Sequence, residues 1–273
     1  MEKQLIGRGV LAGAAAGLVA FVFARIFAEP VISKAIDYER AREAAQGALD
    51  RAAGATVSVG GPDLFSRTVQ ADVGLGAGLI LFGAAMGALV GVAYCVCIGR
   101  TGRIRPFQLA LLVPAFFFVG VYLVPFAKYP ANPPAIGHEE TIRTRGALYL
   151  ITVAVSCIAL FLAVYYGQNL HKRLSLYTSC LIAGGGYVVV MTVLFAILRS
   201  FDETPLPLKD ASGGIVFPGF PADLLAEFRV YAIAAQAIMW AVIALVFAPL
   251  AQRVLDPAGV AARKAARFAE ATA

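Results

Sequence analysis

Six uninterrupted apolar runs alternate with polar connections along the chain: Gly9 to Phe27, Val73 to Ile98, Phe107 to Ala127, Gly146 to Gly167, Leu176 to Leu198 and Val230 to Ala251. Each is close to the length of about 20 residues that a helix needs to cross the hydrocarbon core of a bilayer. The last five hold no Asp, Glu, Lys or Arg, and the first holds only Arg25. The pattern predicts an all-α integral membrane protein with six transmembrane helices. These form a single transmembrane domain over residues 1–251, followed by a basic tail at 252–273. Lys3 and Arg8 ahead of an Ala-rich run have the look of a secretory signal. Arg25, the Glu29-Pro30 exit and the lack of a small-x-small site favour a retained helix.

Between the first two runs the pattern changes. Glu29 precedes Pro30, which suits the first turn of a new helix. Val31 to Ala53 then reads as an amphipathic helix on the outer surface, with Asp37, Glu39 and Glu43 on its polar side and Gly54 as its stop. Val57 to Gln70 reads as an irregular connector, with turn chemistry at Gly60-Gly61-Pro62-Asp63.

Composition agrees with the membrane reading. Of the 273 residues 60% are hydrophobic and 15% charged, against nearly a quarter charged in soluble domains. The formal net charge of +6 is an orientation signal and not a nucleic-acid footprint, because Lys and Arg in short connections stay cytoplasmic. Arg100, Arg103 and Arg105 crowd one connection, Lys172 and Arg173 another, and Arg253, Arg263, Lys264 and Arg267 the tail. Both termini are therefore expected in the cytoplasm, with the protein in the cytoplasmic (inner) membrane. The outer side receives three segments, Glu29 to Asp72, Lys128 to Arg145 and Arg199 to Arg229, which hold nearly all the acidic residues. None of the four cysteines falls in an outer segment, so no disulfide framework is expected. Cys95 and Cys97, two apart on a helix, point away from each other and make a poor metal pair.

Small residues set the packing. Gly9, Gly13 and Gly17 in the first run, and Gly83, Gly87 and Gly91 in the second, recur every four residues, a spacing that lets helix backbones approach closely in lipid. The ridges are expected to pack helices, and they could equally seal a homo-oligomer. Gly184-Gly185-Gly186 weakens the fifth helix enough to suggest a break, and Pro114 and Pro125 could free carbonyls in the third.

Candidate chemistry gathers on the outer side. Arg25 lies one turn from Glu29 and is expected to snorkel outward as an interfacial anchor paired to it. His138-Glu139-Glu140 stands where the fourth helix begins. Carboxylates there complement the helix dipole, while imidazole and carboxylate together are ligands for first-row divalent ions. Three consecutive residues cannot all face one ion from a helix. Only His138 and Glu140 would converge, and only from an extended segment, so further ligands would come from Glu29, Asp202, Glu203 or Asp223. The candidate metal residues are thus Glu29, His138, Glu139, Glu140 and Asp223, with Arg25, Glu39 and Gln236 as polar residues of structure or pathway. No nucleophile and base pair, HExxH or phosphate loop is present, so neither an enzyme nor an ATPase is expected.

Three stretches taken together resemble the CbtA-type family, the predicted membrane subunit of a cobalt transporter. They are Phe27-Ala28-Glu29-Pro30 with Tyr38-Glu39, Lys128 to Pro134 running on to Glu140-Thr141-Ile142, and Phe220 to Leu225 with Phe228-Arg229 and Gln236 to Trp240. The resemblance implies uptake of Co²⁺ for cobalamin synthesis, with the ion as transported substrate and no tightly bound cofactor. It also implies a small single-span partner with a His-rich segment. A non-transporting membrane scaffold or assembly factor is the competing reading.

Overall fold

The computed structural model describes residues 1–55, 65–102 and 104–256. The Gly60 to Asp63 turn, Arg103 and most of the basic tail, including Arg263, Lys264 and Arg267, lie outside the described residues. In chain order the helices are α1 (Glu2–Phe23), α2 (Glu29–Ala52), the short α3 (Arg67–Val69), α4 (Leu75–Cys97), α5 (Pro106–Phe117), α6 (Val124–Lys128), α7 (Ile142–Leu170), α8 (Leu176–Ile197) and α9 (Ala222–Leu255). A two-stranded antiparallel hairpin, β1 (Leu208–Lys209) and β2 (Ile215–Phe217), lies between α8 and α9. Among the described residues, six helical runs are long and apolar enough to cross a membrane: Glu2–Ala52, Arg67–Cys97, Pro106–Lys128, Glu139–Leu170, Leu176–Ile197 and Ala222–Leu255. The six expected spans are all present. Several extend past their apolar cores, as when α9 starts at Ala222, ahead of the apolar run at Val230.

Pro30 sits in the first turn of α2, where its missing N–H is no loss. The helix stops at Gly54, whose φ of +79° only glycine adopts cheaply. The sequence did not disclose the π-helical turns at Ala24–Ala28, Gln70–Gly74 and Phe118–Leu123. The last follows Pro114, which is buried inside α5 and leaves one carbonyl without its usual donor.

The chain divides into two compact units, Met1–Arg25 with Arg67–Phe118 and Ala234–Ala273, and Ile26–Ser66 with Val119–Ile233. In the first unit, α1 and α4 pack through the two glycine ridges. A Cβ on Gly13 would fall 2.7 Å from the Gly83 carbonyl carbon and 2.9 Å from Gly87 Cα, and one on Gly17 would fall 2.7 Å from Ile80 Cα. The ridges are therefore packed against each other within the chain. Around them Leu5, Ala12, Ala16, Val90, Tyr94 and Phe247 form a buried core. Tyr94 stands edge-on to Phe247 at 5.3 Å and donates from its hydroxyl to the Pro106 carbonyl. Arg8 donates to the Leu250 carbonyl, tying α1 to the end of α9.

In the second unit α7 and α8 pack side by side, joined by a 2.8 Å hydrogen bond between Ser156 and Tyr187. The break that the three glycines suggested is absent: α8 runs unbroken through Gly184, Gly185 and Gly186. A Cβ at any of the three would meet nothing within 4 Å. Low intrinsic propensity does not interrupt the helix, because in lipid an unbonded backbone group costs more than a glycine does.

Candidate functional site

Parts of the three segments expected on the outer side fold onto one another in the second unit. Val31 and Ala35 of α2, Ile136 of the loop before α7, and Phe220 and Leu224 at the start of α9 share a small buried core. Tyr38 fastens it: its ring stacks edge-on to Phe220 at 4.9 Å and tilts against Phe217 at 5.4 Å, while its hydroxyl donates to the Pro218 carbonyl at 3.0 Å. Arg42 donates to the Leu206 carbonyl at 2.7 Å, and the Tyr129 hydroxyl to that of Arg199 at 2.8 Å. In the hairpin turn, the Asp210 carboxylate accepts from the Ser212 hydroxyl and from the amides of Ser212 and Gly214. The Ser212 hydroxyl, followed by those amides, holds its pKa below the ordinary aspartate value.

Glu203 knits two of these loops together. Its carboxylate accepts the His138 backbone N–H at 3.0 Å and faces the Arg145 guanidinium at 3.4 Å. Burial alone would raise its pKa. Hydrogen bonds from Thr141 and the His138 amide, with the Arg145 charge, outweigh that and leave it below the ordinary glutamate value.

The candidate residues are distributed as follows. Glu29 is buried in the first turn of α2 and accepts from the Ser33 hydroxyl at 3.3 Å. In the first unit Arg25 binds Asp72 at 2.5 Å, so the ion pair joins the π-helical turn after α1 to the one before α4. Glycine packing of α1 against α4 brings these two turns together, a long-range effect that spacing along the sequence does not disclose. His138, Glu139 and Glu140 are exposed. The backbone is extended at His138 and then closes into a 3₁₀ turn at Glu139–Thr141, so the extended run that would align His138 with Glu140 stops at its first residue. Glu39 is half-buried and accepts from the Ala135 backbone. Gln236 is half-buried on α9 and makes no hydrogen bond among the described residues. Among the described residues, no three His, Cys, Asp or Glu side chains are grouped to hold a metal ion.

Asp223 does line a cavity. With Glu227 one helical turn on, and with Lys34, Tyr38 and Leu224, it borders a space of about 300 Å³. Both carboxylates are exposed, and the Tyr231 hydroxyl donates to Glu227 at 3.1 Å. Glu227 was not singled out from the sequence. The available signal was its spacing of four residues from Asp223 in the opening turns of a helix, which puts both on one face.

Six membrane-length helices define a multi-pass, all-α membrane protein. The chain belongs to the CbtA family, described as a probable cobalt transporter subunit, whose family model matches residues 2–252. Such a transporter subunit is not an enzyme. Neither a curated protein nor a solved structure matches the chain.

Proposed function

We propose that the chain takes up Co²⁺ across the cytoplasmic membrane for cobalamin synthesis, with the outer assembly of the second unit as its mouth. The observation that carries this reading is the pair Asp223 and Glu227, two carboxylates on one helical face bordering a cavity of about 300 Å³. Carboxylate oxygens attract a hydrated divalent ion, and two of them without a closed ligand cage hold it weakly enough to release it onward. Glu29, His138, Glu139 and Glu140 add ligand-type groups to the same assembly. The basic connections and tail support an orientation with both termini in the cytoplasm. A subunit needs a partner, and the small His-rich single-span protein implied by the resemblance would receive or deliver the ion. The test is accumulation of radioactive Co²⁺ in cells with and without the chain, the partner being present in both. Higher accumulation with the chain supports the proposal, and equal accumulation contradicts it.

A further inference from the structure

A second cavity of the second unit, about 360 Å³, carries the opposite character from the Asp223–Glu227 space. Lys128, Arg145 and Arg229 line it together with the Glu203 carboxylate. These cations are fixed in place. Lys128 Nζ donates to the Phe195 carbonyl at 2.7 Å and to the Ser200 hydroxyl at 2.8 Å. Arg229 Nη2 donates to Asn132 Oδ1 at 2.9 Å, and its Nε to the Ala131 carbonyl at 3.4 Å. Among the described residues neither side chain makes an ion pair. Arg145 reaches Glu203 through Nη1, yet its Nε is buried with no hydrogen-bond partner among the described residues.

Three cations thus face one cavity against one carboxylate, and a buried donor is left unsatisfied. A concave, low-dielectric wall of one sign concentrates counter-ions, and a buried donor without an acceptor is costly unless a ligand completes it. The setting narrows the ligand further. Lys128 and Arg145 bound the outer loop and Arg229 directly precedes the last apolar run, while Tyr122 and Tyr149, also lining residues, lie inside apolar runs. The cavity thus combines three cations with aromatic side chains where apolar runs meet their polar connections.

We propose that this cavity is an oxyanion site, in which Lys128, Arg145 and Arg229 hold the oxygens of a phosphate or carboxylate group by charge-assisted hydrogen bonds. The group has two sources. It belongs either to a small soluble anion or to the phosphate of a lipid headgroup, which basic pockets beside membrane helices recognise by the same chemistry. The inference stands apart from the cobalt reading, since it is tested without metal and its failure leaves that reading untouched.

The experiment uses the purified full chain, delipidated in maltoside detergent. Inorganic phosphate and citrate are titrated calorimetrically, and retention of added phosphatidylglycerol is followed by native mass spectrometry. At least one probe is expected to bind, with affinity falling about tenfold or more in Lys128→Gln/Arg229→Gln and unchanged in Lys209→Gln on the hairpin. Saturation by phosphate or citrate identifies a soluble anion, and selective retention of phosphatidylglycerol a headgroup. Binding of no probe by the wild-type chain overturns the proposal, as does equal binding by the double variant. Should the double variant fail to fold, Lys128→Gln alone repeats the comparison, because that lysine contacts only a carbonyl and a hydroxyl.

Discussion

Replacing Gly13 by Ala tests the account of why α1 and α4 associate. The new Cβ would lie 2.7 Å from the Gly83 carbonyl carbon and 2.9 Å from Gly87 Cα, where ordinary contact begins near 3.4 Å. Both obstacles are backbone, so no side chain can swing aside and the helices must part. A gap of 0.5–1 Å forfeits a quarter to a half of each dispersion contact along the seam, and comparable overpacking costs about 1–3 kcal/mol. In lipid no hydrophobic effect between helices makes up the loss. At about 2–4 °C per kcal/mol, the detergent-solubilised protein should melt several degrees lower. The controls lie on the same two helices: a Cβ at Gly7 or Gly78 meets nothing within 4 Å. Gly7→Ala and Gly78→Ala should leave the melting temperature unchanged or raise it, since Ala is the better helix former. Thermal unfolding followed by circular dichroism separates the cases. Equal shifts for Gly13→Ala and Gly7→Ala would refute the close-packing argument.

Arg25→Ala and Asp72→Asn should each destabilise slightly and be nearly non-additive, with a coupling of no more than about 1 kcal/mol, because both side chains are almost half exposed. A double-mutant cycle on thermal unfolding measures it. Glu203 has a depressed pKa in the folded chain, so its contribution is complete above the unfolded carboxylate value and is lost as pH falls through the lower folded value. Glu203→Gln should therefore flatten the acid limb of the stability profile below pH 4.5 and leave its neutral slope unaltered, as read by melting temperature against pH. Gly184→Ala/Gly185→Ala/Gly186→Ala should leave helical content and Co²⁺ accumulation unchanged, since α8 is unbroken and each added methyl meets empty space. A loss of accumulation with the fold intact would revive a hinge in α8.

The spans were legible in the sequence because crossing a bilayer imposes length and apolarity on every residue of a run, a constraint too strong to miss. The glycine ridges were legible as ridges but not as partners. Spacing fixes a face, whereas the choice of Gly13 against Gly83 and Gly87 is a tertiary fact. Arg25 shows the same limit, since spacing favoured Glu29 and the long-range packing of α1 on α4 supplied Asp72. The π-helical turns left no compositional mark. In the outer assembly, the sequence pointed to Asp223 and to the segments that meet, but Glu203 works by accepting a backbone amide of His138, and a hydrogen bond to backbone carries no residue signature. The cationic cavity was hidden for a related reason: Lys128, Arg145 and Arg229 read separately as loop charges, and only folding gathers them.

The central claim, that the outer assembly admits a divalent cation through its carboxylate cavity, meets its most direct test in Asp223→Asn/Glu227→Gln. The initial rate of Co²⁺ accumulation is measured at limiting ion concentration in cells holding equal amounts of folded protein in the membrane. A fall of about fivefold or more, largely recovered at high Co²⁺, is the result expected when two attracting charges are lost from the mouth. An initial rate equal to that of the unaltered chain would contradict the account.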